Sequence, residues 1–418
     1  MKCFYFIISE NLERRRKSML RNLKMFNIGI FVCCIVTASW AFALVSEAGD
    51  KPASFDPNSV VFVTNRDSSD VTVIDMNTDM ILDRIACGDF SNPHMAVATR
   101  DGKNLLITGT NSNFVAIVDL KTRELTKVRL GLMPEHFDIT PDGKYAFIGN
   151  MAAGCVSVVD IEAKKETSRL TGFFEPHGIV CLPGSSKVYI SNMGAHEVGV
   201  IDVETQRVAS TLEVGSAYAM ARVDMDSKLA EVVGIANPTL SIDGRYAYAA
   251  DGDSDQVAVI DTIDDSVVAT IPVGDDPWRA YASPDGTKML VPNNGDETIS
   301  VIDTTINKVV ATFPGGADMT GVNFVNGGKK AYVISRGDNG VYIYDMEEMR
   351  EIKKIKLGLN VSPETASTTL DGKKVYLAAS ARNSVFVFDA DTDDYKEITN
   401  VGLSPWAVTI IGAANYCH

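Results

Sequence analysis

Three histidines recur at one position of a repeated phrase. Pro93-His94, Pro134-Glu135-His136 and Pro176-His177 each place an imidazole one or two residues after a proline, on consecutive repeats. Imidazoles gathered this way could ligate a metal or a haem iron, or exchange protons near neutral pH. Other repeats fill the slot with Trp278, Glu364 and Trp406, so the series reads as a ring around the mouth of a channel. Equivalent positions on adjacent repeats are expected to lie too far apart for three rings to share one ion. No close-spaced pair of the H-x-x-x-H kind supplies help elsewhere in the chain. The expectation is a polar funnel at His94, His136 and His177, with no metal and no catalytic residue; cofactor binding there is the alternative.

Other chemical signals are thin. Residues 414–418, ANYCH, resemble a c-type haem attachment motif whose first cysteine is alanine. A motif at this position lacks flanking chain to enclose a macrocycle, so no haem is expected on this chain. There is no G-x-S-x-G, no G-x-x-x-x-G-K and no H-E-x-x-H. Beyond the first 43 residues the cysteines are Cys87, Cys155, Cys181 and Cys417, on separate repeats, which implies no disulfide framework.

What must position the histidines is a repeat. Eight apolar phrases end in aspartate, at Asp75, Asp119, Asp160, Asp202, Asp261, Asp303, Asp345 and Asp389, mostly 41 to 44 residues apart. That period in a strand-rich chain predicts an all-β protein, a single β-propeller of four-stranded blades over residues 60–412. Eight blades are expected, with seven as the alternative. Asp-Gly pairs at Asp101-Gly102, Asp142-Gly143, Asp243-Gly244, Asp285-Gly286 and Asp371-Gly372 mark hairpins. The near-continuous Val/Ile character of each third strand predicts burial on both faces. Its final aspartate is expected to cap the next turn rather than to do chemistry. The first unit lacks an inner strand and Pro405–Gly412 has that character without followers, so the C-terminal strand should complete the N-terminal blade.

One step, from Asp202 to Asp261, is 59 residues, and its surplus is placed at 216–239. Tyr218, Met220, Met225, Leu229 and Val232 make this insertion too apolar for a solvated linker. It is expected to pack on a partner protein or on the propeller's own face, with a short helix over DSKLAEVV.

Arg14 to Lys24 followed by the apolar run Phe26 to Ala43 predicts an export signal, cleaved after Ala43 at Ala41-Phe42-Ala43. A retained anchor is the alternative, and residues 44–59 are a lead-in to the propeller. The chain carries a net charge of −15; its first 43 residues hold seven Lys/Arg and two Asp/Glu, which leaves −20 on the remainder. Such a surface disfavours nucleic acid and anionic membrane and could steer a basic electron-carrier cytochrome. Simple solubility is the alternative.

The phrases VFVTNRDSSDVTVIDMNT, YAFIGNMAAGCVSVVDIEA and TPDGKYAFIGN resemble the YVTN-type propeller repeats of exported bacterial and archaeal proteins, over essentially all of the chain past the signal. Within that group, the export signal, acidity, lack of an intact haem motif and one oversized loop resemble the haem-free propeller subunits of hydrazine synthase from anaerobic ammonium-oxidising bacteria. That resemblance implies haem c on partner subunits, which form hydrazine from nitric oxide and ammonium-derived nitrogen, and a periplasm-like or anammoxosome-lumen location. The propeller would serve assembly, carrying no catalytic residue. Two alternatives remain at this stage: a propeller that binds a haem d1-type tetrapyrrole at His94, His136 and His177, and a periplasmic or surface binding module.

Overall fold

Each repeat becomes one antiparallel sheet because its apolar runs are strand-length and are separated by residues that tolerate tight turns. A computed structural model describes residues 54–88, 91–184, 186–215 and 234–413. In it, eight four-stranded sheets follow one another around a ring, giving the eight blades expected rather than seven. Blade 1 takes Val60–Asn65, Asp70–Asp75 and Ile81–Ala86 from one end of the propeller and Pro405–Thr409 from the other. Phe62 faces Thr409 and Val63 faces Val408 across that seam, so the predicted closure holds.

The turns work as their residues require. Gly102, Gly143, Gly244, Gly286 and Gly372 all have φ between +66° and +74°, where a side chain would be strained. The hydroxyl two residues before each aspartate donates to it at 2.6 Å, from Thr99, Thr140, Ser241, Ser283 and Thr369. All eight strand-ending aspartates accept backbone N–H bonds from the turn that follows, as Asp75 does from Asn77 and Thr78. For Asp119 and Asp345 these bonds, led by Thr122 and Glu348, hold the carboxyl below its ordinary pKa, as expected of caps.

The apolar core is divided into eight wedges, one between each pair of neighbouring blades. The third strands lie inside them, so Val115, Ile117, Val200 and Val301 are fully buried. Cys87, Cys155 and Cys181 are buried free thiols, and burial pushes Cys87 up to about 12.

A tyrosine latch ties several wedges at their rims. Tyr189 donates to Asp265 of the next blade at 2.5 Å, and Tyr332 donates to Asp393 at 2.5 Å. Lys187 and Lys330 reach the same two carboxylates at 2.8 and 2.9 Å. The latch repeats across the seam, where Tyr376, Lys374 and Lys396 converge on Asp79. Burial raises the Asp79 carboxyl, but Lys396, Tyr376 and Lys374 outweigh it and leave the net shift downward.

The stretch 216–239 needs one correction. Its last residues belong to the inner strand of blade 5, Ile235–Leu240, with Pro238 paired to Ala249. Proline is accepted there because an inner strand is the edge of its sheet and one of its N–H groups has no ladder partner. Residues 216–233, with Tyr218, Met220, Met225, Leu229, Val232 and the expected helix, lie outside the described residues, as do the signal segment and Cys417. Among the described residues no helix is long and apolar enough to cross a membrane.

Candidate functional site

The inner strands start at the crossover face, where the chain passes from one blade to the next. Pro93, Pro134, Pro176, Pro363 and Pro405 are their first residues. In seven of the eight blades the inner strand then carries one extra residue relative to its partner, a bulge immediately after the first pair. A bulge re-aims side chains. Here it falls on His94, Glu135-His136, His177, Ala236-Asn237, Thr320, Glu364-Thr365 and Trp406-Ala407. Blade 6 differs, with only Tyr281–Ala282 as inner strand and an isolated bridge from Pro277 to Asn293.

Carbonyls at the bulges are fixed by hydroxyls from neighbouring blades. Thr64 donates to His94 O at 3.2 Å, Thr108 to Glu135 O at 2.5 Å and Ser191 to Ala236 O at 2.7 Å. Thr320 donates to Glu364 O and Thr365 to Trp406 O, at 2.7 and 3.0 Å. The ring of bulges is therefore tied to the blades behind it.

The three predicted histidines come together, and the expectation of wide separation is wrong. The His94 and His136 rings stand 4.9 Å apart, and His136 and His177 3.8 Å apart. Inner strands converge toward the channel axis, and the bulges turn these side chains inward, so neighbouring rings touch. All three are buried, at 4 to 5 % exposure. Trp406 continues the row at 5.8 Å from His94, with the Arg66 guanidinium 4.1 Å over its indole. Arg66 is itself held by Asn92 at 2.9 Å.

Electrostatics separate the members. Burial lowers the His177 imidazole to about 4, against a carbonyl bond to Ala236 and assisted by Arg279. At neutral pH the ring is uncharged, and its Nδ1 donates to Ala236 O at 3.0 Å. Burial raises the Glu135 carboxyl to about 7, with Arg66 pulling the other way. Facing ligand atoms of His94, Glu135 and His136 all lie within 4.8 Å of one another. Across the ring, Glu364 meets Arg336 at 3.2 Å and Ser380 at 2.5 Å.

Sequence reasoning overlooked one pair. His196 Nδ1 lies 2.7 Å from the fully buried Asp251 carboxylate, beneath Gly215, where the 216–233 insertion departs. A Cβ at Gly215 would fall 1.7 Å from Asp251 Oδ2. The available signal was a partial pattern: Asn65, Asn150, Asn192 and Asn293 end the second strand in four other blades, and Asp251 puts a carboxylate at that position.

The opposite mouth is different in character. A cavity of about 310 Å³ there is lined by Arg100, Asp138, Thr140, Pro183 and Thr409. Burial raises the Asp138 carboxyl to about 6, although the Cys181 N–H donates to it at 2.8 Å.

Comparison with known proteins supports the architecture. A family model described as YNCE-like beta-propeller matches residues 20–373. Among solved structures, dihydro-haem d1 dehydrogenase NirN in complex with DHE is similar at 17% identity and a TM-score of 0.70, covering 86% of this chain and 76% of that one. Kuenenia stuttgartiensis hydrazine synthase is similar at 23% identity and a TM-score of 0.54, covering 73% of this chain and 97% of that one. A functionally unknown protein from Desulfotomaculum acetoxidans is similar at 14% identity and a TM-score of 0.51, covering 71% and 95%. No curated protein matches the chain. At these identities the likeness is one of fold.

Proposed function

Because the chain belongs to the YNCE-like beta-propeller family, a fold that by itself fixes no activity, we propose from its surface that it is a non-catalytic docking subunit. The complex we assign it to is an exported multi-haem oxidoreductase of the hydrazine synthase type, with haem c on partner subunits and none on this chain. One observation carries the reading. Four large apolar side chains stand out on the crossover face: Leu132, Phe174, Leu359 and Leu403, between 52 and 87 % exposed. The insertion follows Arg207–Glu213 and precedes Ile235–Leu240, whose facing ends lie on this face, and its sequence holds five apolar residues. The opposite face also exposes Met80, Ile242, Ile263, Ile306 and Leu370, so the docking reading rests on these four groups sharing the face from which the insertion leaves. The similarity to a hydrazine synthase chain over 97% of that chain's length agrees with such a role.

The test is co-purification. Tagged wild-type chain recovered from its native cells should bring haem-staining subunits with it. Deleting 216–233, or replacing Phe174 and Leu403 by Asp, should abolish that recovery while far-UV circular dichroism stays that of a β-propeller. A wild-type chain recovered as a lone monomer would defeat the proposal.

A second reading has a specific observation in its favour: the histidine row at the mouth, in a chain similar to a structure described as holding DHE. Burial of all three rings argues against it, since they leave little face for a macrocycle. Haem added to the purified chain should produce no Soret shift; a shift abolished by His136→Gln would favour this reading instead.

A further inference from the structure

We propose that His94, Glu135 and His136 form a binding site for a divalent transition-metal ion at the crossover mouth, with His177 beside it. The proposal stands apart from the docking role and uses a different part of the face. Its basis is that two adjacent inner strands, Pro93–Ala98 and Pro134–Ile139, bulge where these residues sit and bring two imidazoles and a carboxylate to one point. Their ligand atoms lie within 4.8 Å of one another. Around a tetrahedral ion with bonds of about 2.1 Å, ligand atoms sit ~3.4 Å apart. Small side-chain rotations would therefore close the set without moving the strands.

The donor chemistry selects the ion. Two imidazoles and one carboxylate suit zinc, cobalt or ferrous iron, and lack the oxygen count that calcium requires. His177 lies beside the set: its Nδ1 donates to Ala236 O, so its Nε2 keeps the lone pair. Its ring centroid is 3.8 Å from that of His136, but its nitrogens fall outside the 4.8 Å group, so the fourth position is left to water. Support behind the ligands is already built, since Thr64 and Thr108 hold the carbonyls of His94 and Glu135.

Charge at the mouth is mixed. Arg66 acts on Glu135 and Arg279 on His177, and both oppose a cation. Arg66 is drawn off by Asn92, Thr110 and the Trp406 ring, which leaves the carboxylate as the counter-charge. A dication would favour the ionised form of Glu135, so uptake near pH 6 should release a proton.

The experiment is a titration of Co²⁺ into the EDTA-dialysed full chain, followed by visible absorption and thermal melting. One equivalent should give d–d bands and raise the melting temperature. Glu135→Gln and His94→Gln should each weaken uptake by at least about tenfold. No uptake, or uptake that both variants leave unchanged, would overturn the site; the latter includes binding at His196 and Asp251. Should the variants misfold by circular dichroism, X-ray absorption on the zinc-loaded wild type decides. Two or three imidazole ligands support the site, and fewer than two remove it.

Discussion

At the scale of single residues, the crossover mouth holds two titrating groups whose effects on stability oppose each other. Glu135 is neutral in the fold up to about pH 7, whereas unfolded it ionises near 4.5. The native state then binds the extra proton, so stability falls as pH rises through that window. His177 is the reverse: it stays neutral down to about 4 against 6.5 unfolded, so stability falls as pH drops through its window. Each masks the other between pH 4.5 and 6.5. Glu135→Gln should therefore stabilise the metal-free protein at pH 7.5, by up to the order of 3 kcal/mol, and leave it unchanged at pH 4. Urea unfolding at the two pH values reads this directly, and an equal effect at both would show that Glu135 ionises freely. A second prediction concerns the seam latch. Asp79→Asn removes the charge that Lys374 and Lys396 share, and should cost about 2 kcal/mol in the same measurement. Because the Asp79 carboxyl is held low, its contribution should fade only as the pH falls below about 4.

At the scale of strands and turns, the ring depends on pairing more than on any single core. Eight wedges hold the molecule, and one of them, with Val61, Ile74, Val385, Val408 and Ile410, is closed by the last strand. Truncation before Pro405 should expose the Val60–Asn65 edge and shift the purified chain to aggregates in size-exclusion chromatography. A monomer with unchanged melting would show the closure to be dispensable. These elements were legible because their signals are local. The Asp-Gly hairpins, the capping aspartates and the missing inner strand of the first unit each announce themselves within a few residues. The mouth was less legible for a geometric reason. Spacing along the chain gave the right ring positions for His94, His136 and His177, but said nothing of the repeated bulge or of strand convergence, which together set how far apart the rings lie. Residues 235–239 misled in the same way: spacing alone assigned them to the insertion, and their pairing as an inner strand, with Pro238 tolerated at its edge, shows only in the fold.

At the scale of the molecule, charge and apolar surface point to association. The chain is strongly acidic, with 54 Asp and Glu against 39 Lys and Arg. If that field guides a basic cytochrome, the association rate should drop at least about tenfold between low and 0.5 M salt, since exposed charges are screened within a few ångströms at high salt. A rate indifferent to salt would leave solubility as the field's purpose. The seam carries one more implication. Phe62 lies opposite Thr409, so the two ends of the propeller are neighbours in space. A short linker from 413 to 60, with new termini opened inside 216–233, would convert blade 1 into an ordinary hairpin stack. Rewiring of that kind changes the order in which strands are synthesised while preserving every native pair, which makes the location of the break a free variable in the design of this ring.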